Sequence, residues 1–119
     1  MRDYKKLRAF ELADKLALTV YKITTNFPKD ERYGLTSQMR RCAVSVASNI
    51  VEGSARKSLP DYLKFLDIAY GSARELEYQV SLATRLGFIA PENAGEIESQ
   101  CVETAKVLNG LISALRREV

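Results

Sequence analysis

The chain has 119 residues, 46% of them hydrophobic and 28% charged, with a formal net charge of +3. That length supports one domain, residues 1–119, which buries roughly two thirds of its extended-chain surface and needs no disulfide or metal staple. Histidine is absent, which removes imidazole general bases and di-iron bundles built on Glu-x-x-His pairs, and no apolar run reaches the roughly 20 residues of a membrane span.

The N-terminus, Met1-Arg2-Asp3-Tyr4-Lys5-Lys6-Leu7-Arg8, carries charges where a signal peptide has its apolar region, which points to the cytoplasm. The first helix is expected from about Lys6 to Asn26, with Phe10, Ala13, Ala17, Val20 and Phe27 near one seam. Pro28 then pushes Phe27 out of the helical region. Arg8, Lys15 and Lys22 recur every seven residues, about 10.5 Å apart along a helix, with Lys29 next in series. Such a rail can track phosphates and would make binding salt-dependent. A solvated face, with Glu11 and Lys15 paired at i,i+4, is the alternative.

The second helix is expected to begin near Gly34 to Thr36 and to end at Gly53 as a left-handed cap. Leu35, Met39, Cys42, Val46 and Ile50 fall on one face of its wheel, and Arg41, Ser45, Ser48 and Glu52 on another. Arg40 and Arg41 point about 100° apart, so Arg40 is a candidate partner contact while Arg41 is tied inside the subunit. Ser45, Ser48 and Asn49 suit close helix packing, and one buried Asn can fix register. The same groups can also touch phosphates or bases.

In the turn Gly53-Ser54-Ala55-Arg56-Lys57-Ser58, two cations precede a helix N-terminus, a combination that can hold an anion or merely face solvent. Ser58-Leu59-Pro60-Asp61 reads as a capping box with proline in the first turn, opening a third helix that runs to Leu86 and stops at Gly87. Its apolar residues cover an arc of about 220°, wider than the stripe a lone surface helix needs. Either this helix is the most enclosed member of the monomer, or the surplus meets a neighbouring subunit. The second reading is favoured and makes Phe65 and Ile68, with Val44, Ala47 and Val51 of the second helix, the candidate subunit interface. Glu77 falls inside the arc and needs a cation; Arg41, or less readily Arg40, is expected to pair with Glu77 or Glu75. A fourth helix starts around Pro91 and places Ile97, Cys101, Leu108, Ile112 and Leu115 at three- and four-residue steps.

No strand pattern occurs, and short connections favour an all-α, antiparallel up-down-up-down four-helix bundle. Residues 1–57 hold 12 Lys and Arg against six Asp and Glu, a net +6; residues 58–119 hold six against nine, a net −3. That asymmetry suits either a polyanionic partner or self-pairing. Cys42 and Cys101 belong to no Cys-x-x-Cys unit and sit on apolar faces as small hydrophobes; a disulfide, a metal site or a nucleophile is the alternative. Tyr4, Tyr33, Tyr62, Tyr70 and Phe88 can stack on bases, but most have core spacing.

Several stretches together resemble a known family. They are Phe27-Pro28, Tyr33-Gly34-Leu35-Thr36-Ser37-Gln38-Met39-Arg40-Arg41, Ala43-Val44-Ser45 and Ser48-Asn49-Ile50-Val51-Glu52-Gly53, then Phe65 to Glu77 and Leu82-Ala83-Thr84-Arg85-Leu86-Gly87-Phe88. The chain looks like the four-helix-bundle family encoded by intervening sequences of 23S ribosomal RNA genes, and the likeness spans nearly its whole length. Members also resemble the accessory variability protein of diversity-generating retroelements, a pentameric barrel thought to bind nucleic acid and a reverse transcriptase. The resemblance implies a homopentameric ring that binds RNA or DNA. It departs at Ala47, where many members carry proline; without proline the second helix is expected to straighten.

The expectation is therefore a cytoplasmic, non-enzymatic, oligomeric bundle acting as a nucleic-acid-binding accessory protein, with no metal, cofactor or membrane partner. Its candidate phosphate contacts are Arg8, Lys15, Lys22, Arg40, Arg56 and Lys57. The alternative is a protein-interaction scaffold for an acidic or helical partner.

Overall fold

Asp3 accepts a hydrogen bond from the Lys5 N–H at 3.1 Å and closes a single 3-10 turn over Tyr4–Lys6. Leu7 then turns extended, so the first helix of the computed structural model, which describes residues 2–119, starts at Arg8 rather than Lys6. Four helices follow one another: α1 Arg8–Thr24, α2 Leu35–Ser54, α3 Leu59–Arg85 and α4 Pro91–Arg116, with no strand among the described residues. α1 stops two residues short of expectation because Phe27, ahead of Pro28, folds back into the core against Phe88, with ring centroids 5.6 Å apart. α2 runs unbroken through Ala47, as the missing proline allows.

Two glycines divide the work of ending and packing the helices. Gly87 adopts φ +83° just past α3, a conformation that L side chains avoid. Gly53 does not terminate α2 in a left-handed turn as expected. It is a helical, buried residue, and a Cβ there would sit 2.8 Å from the Phe65 Cβ and 3.1 Å from Tyr62 Cδ1. The requirement for glycine is close approach of α2 to α3, not backbone handedness. Ser58 caps α3 as predicted, its Oγ accepting the Asp61 N–H at 3.2 Å.

Each helix packs on its neighbours in sequence, and α4 returns to α1; among the described residues the diagonal pairs do not bring their backbones close together. Opposed pairings show the antiparallel run: Arg8 meets Glu103, Thr24 meets Arg40, Ser45 meets Ser72, and Asp67 meets Arg116. The body measures 45 × 24 × 19 Å, and the 27 residues of α3 span about 40 Å of the long axis. The faces read from the sequence form the core: Leu35, Met39, Cys42, Val46 and Ile50 of α2 are buried, as are Ile97, Cys101, Leu108 and Ile112 of α4. Both cysteines are free and buried. Among the described residues no helix is long and apolar enough to cross a membrane.

Candidate nucleic-acid interface

The heptad-spaced cations of α1 share their side of the bundle with α4. Arg8 donates to Glu103 Oε1 at 2.7 Å. Lys15 lines a shallow groove with Glu96 and Glu103, and Lys22 lines the next one with Glu96 and Asn93. The positive first half and negative second half of the chain therefore meet, in part, across the α1–α4 seam. Of the three rail residues, Arg8 is already engaged by a carboxylate, Lys15 shares its groove with two and Lys22 with one.

The paired arginines of α2 do the reverse of what the wheel suggested. Arg40 is the one tied into its own subunit: its Nε donates to Thr24 Oγ1 at 2.8 Å, and its guanidinium lies 4.6 Å over the Tyr21 ring. Arg41 is exposed and belongs to none of the ion pairs among the described residues. Glu77 is held by Arg74 one turn back on α3, at 3.7 Å. Glu75 accepts from Gln79 at 3.2 Å. The expected Arg41–Glu77 bridge fails because angular position on α3 placed Glu77 at the edge of the packed surface, half-buried, and left Gln79 as its buried polar residue. Gln79 Oε1 has no hydrogen-bond partner among the described residues, a feature sequence reasoning missed.

The small polar face of α2 packs, and its partner is Ser72. Ser45 Oγ and Ser72 Oγ share a hydrogen bond at 2.9 Å, and the Cys42 thiol donates to the Ser72 carbonyl at 3.1 Å. Asn49 does not itself cross to another helix; its amide donates to the carbonyl and hydroxyl of Ser45 within α2. Cross-helix register thus runs through the serine pair, with Asn49 supporting it. Ser48 is half-buried and Glu52 exposed.

At the α2–α3 turn, Arg56 and Lys57 join Arg2, which the sequence had not marked, around a hollow of about 590 Å³ that no carboxylate lines. Arg2 Nη1 donates to the Arg56 carbonyl at 2.9 Å and its guanidinium lies 4.3 Å over the Tyr62 ring; Arg56 lies 4.5 Å over Phe65. Cations are held here by aromatic faces rather than by acids. Burial raises the Tyr62 phenol above its ordinary value, and Arg2 partly offsets it. Phe65, a candidate interface residue, is half-buried, as are Ala47 and Val51, while Val44 and Ile68 stay 41% and 52% exposed.

The thiols are chemically quiet. Burial, then the Glu75 charge, pushes Cys42 up to about 12; burial, then the Glu77 charge, does the same to Cys101. At neutral pH neither offers a thiolate. No group of three or more potential metal-ligating side chains comes together among the described residues.

The fold and its surface define an antiparallel four-helix-bundle protein with a group of cations at its α2–α3 turn. Residues 5–110 match the family described as 23S rRNA-intervening sequence protein, and the chain belongs to that family. A solved structure of a protein with unknown function from the S23 ribosomal protein family of Bacteroides thetaiotaomicron is similar to it. The two share 26% identity at a TM-score of 0.78 over 87% of this chain and 97% of that one. No functionally curated protein matches the chain.

Proposed function

We propose that the protein is a non-enzymatic, homo-oligomeric accessory factor that binds RNA or DNA through phosphates. The observation that carries this reading is the hollow lined by Arg2, Arg56 and Lys57, open to solvent and free of carboxylates in its lining. Cations neutralised internally bind no polyanion, and this group is not neutralised internally. It lies just ahead of α3, whose N-terminal dipole adds to the same field. Lys15 and Lys22 extend the surface less strongly because of Glu96 beside them. Copies in a homopentameric ring, the assembly the family resemblance implies, would multiply weak contacts. A reverse transcriptase is a partner by the same analogy.

Binding to single- and double-stranded RNA and DNA over a range of salt concentrations tests the proposal. Affinity should fall steeply with salt, and Arg56→Glu with Lys57→Glu should weaken it and flatten the slope. Absence of binding at low salt ends the reading. A protein-interaction scaffold is then the better description, favoured by the exposed Val44 of α2 and Ile68 of α3.

A further inference from the structure

A second hollow, of about 610 Å³, opens at the opposite end of α2, under the connection from α1. Its cations are Lys29, Arg32 and Arg40, and Thr24, Thr25 and Thr36 also line it, with the Thr24 and Thr25 hydroxyls donating to the carbonyls of Val20 and Tyr21. No carboxylate lines it. The nearby Glu31 is occupied: its Oε1 accepts the Leu35 N–H at 3.0 Å and caps α2.

Arg40 is set in place before any ligand arrives. Its Nε is fixed on the buried Thr24 hydroxyl, and the Tyr21 ring supports one face of its guanidinium. Its Nη1 donates to no group among the described residues, so that edge remains for an incoming anion. A side chain immobilised in advance loses little further freedom on binding. Beside it stands Tyr33, 88% exposed, with the Arg32 guanidinium 5.7 Å from its ring centroid. A tyrosine that far out of the core adds nothing to packing, while its ring offers a flat apolar face beside three cations. Grooves that hold single strands are built this way, from cations for the backbone and open rings for the bases. A duplex keeps its bases stacked and would leave Tyr33 unused.

We infer that this hollow takes one nucleotide of a single strand, with its phosphate among Lys29, Arg32 and Arg40 and its base stacked on Tyr33. The inference rests on the nucleic-acid reading above and adds a site and a strand preference to it.

The test compares oligoadenylate with a duplex of the same length, using the full chain and Tyr33→Ala, Arg32→Ala and the Arg56→Ala/Lys57→Ala pair. Thermal melts confirm that each variant folds. Tyr33→Ala should weaken oligoadenylate binding about tenfold, as loss of one stacked base does, and leave duplex binding unchanged. Arg32→Ala should weaken oligoadenylate as well. If both variants hold the single strand like the parent while the Arg56/Lys57 pair loses it, the nucleic-acid reading stands and this site is wrong. Equal loss of single strand and duplex in Tyr33→Ala also overturns the stacked base. So does displacement by polyglutamate with the same dependence on Tyr33, which would mark a docking point for an acidic protein. If the parent binds no nucleic acid at low salt, both proposals fall together.

Discussion

Arg8 and Glu103 meet at 2.7 Å across the seam between α1 and α4, with their side chains 64% and 47% exposed. Exposed pairs of this kind contribute about 0–1 kcal/mol, so Arg8→Ala should barely move the melting temperature. Its effect on polyanion binding should be small too, because the carboxylate beside it already competes for its charge. Charge reversal at Lys57 should cost more affinity than reversal at Arg8 in the same salt titration. The opposite ranking would return the α1 rail to the centre of the interface.

The contact between α2 and α3 predicts an unusual pair of glycine results. Gly53→Ala forces a Cβ to within 2.8 Å of the Phe65 Cβ, an overpacking that costs about 1–3 kcal/mol. Gly71→Ala meets nothing within 4 Å in the middle of α3 and should stabilise by about 0.5–1 kcal/mol. Urea unfolding of the two variants against the parent measures both signs at once.

The cysteines make stability depend on alkaline pH. In the unfolded chain each thiol ionises near its ordinary value of 9.0, while in the fold it keeps its proton up to about 12. Above pH 9.0 the unfolded state binds fewer protons than the native one, so stability falls as pH rises toward 12 and is unaffected by these groups below 9.0. Each thiol shifts the folding equilibrium about tenfold per pH unit in that window. A Cys42→Ala/Cys101→Ala variant should be weaker overall because of the lost packing, yet show a shallower alkaline slope. Identical slopes would mean that the thiols titrate alike in both states.

Helix positions were legible because the apolar spacing is regular, although the ends of α1 and the role of Gly53 were not. The buried row from Leu35 to Ile50, the Ser58 cap and the Gly87 stop all follow from residue type and spacing alone. Pairings between helices were not legible. A wheel gives the angle of Arg41 about its own axis but not which acid of α3 faces it: Arg41 lines a hollow with Glu75, while Glu77 sits at the edge of the packed surface beside Arg74. Arg8 failed as an open cation for the same reason, since Glu103 lies 95 positions away. Arg2 and Ser72 drew no notice because each is ordinary in its own neighbourhood. Only the folded chain brings Arg2 over Tyr62 and Ser72 against Ser45.

Assembly is the remaining prediction. Ile68 of α3 and Val44 of α2 keep apolar surface in solvent, and a neighbouring subunit would cover it. Ile68→Asp and Val44→Asp should each leave the bundle folded by circular dichroism while reducing the mass measured by sedimentation equilibrium. A parent that sediments as one chain rules the ring out.

The square arrangement brings the earliest helix of the chain against the latest. During synthesis α1 must wait, one flank uncovered, until α4 has cleared the ribosome, because its second neighbour is the last of the four helices in chain order. Closure of that flank joins residues as far apart as Arg8 and Glu103, 95 positions along the chain, so it carries the largest loop-closure cost of the four helix seams. Nascent chains stalled beyond α3 should therefore be the form that chaperones hold and proteases find.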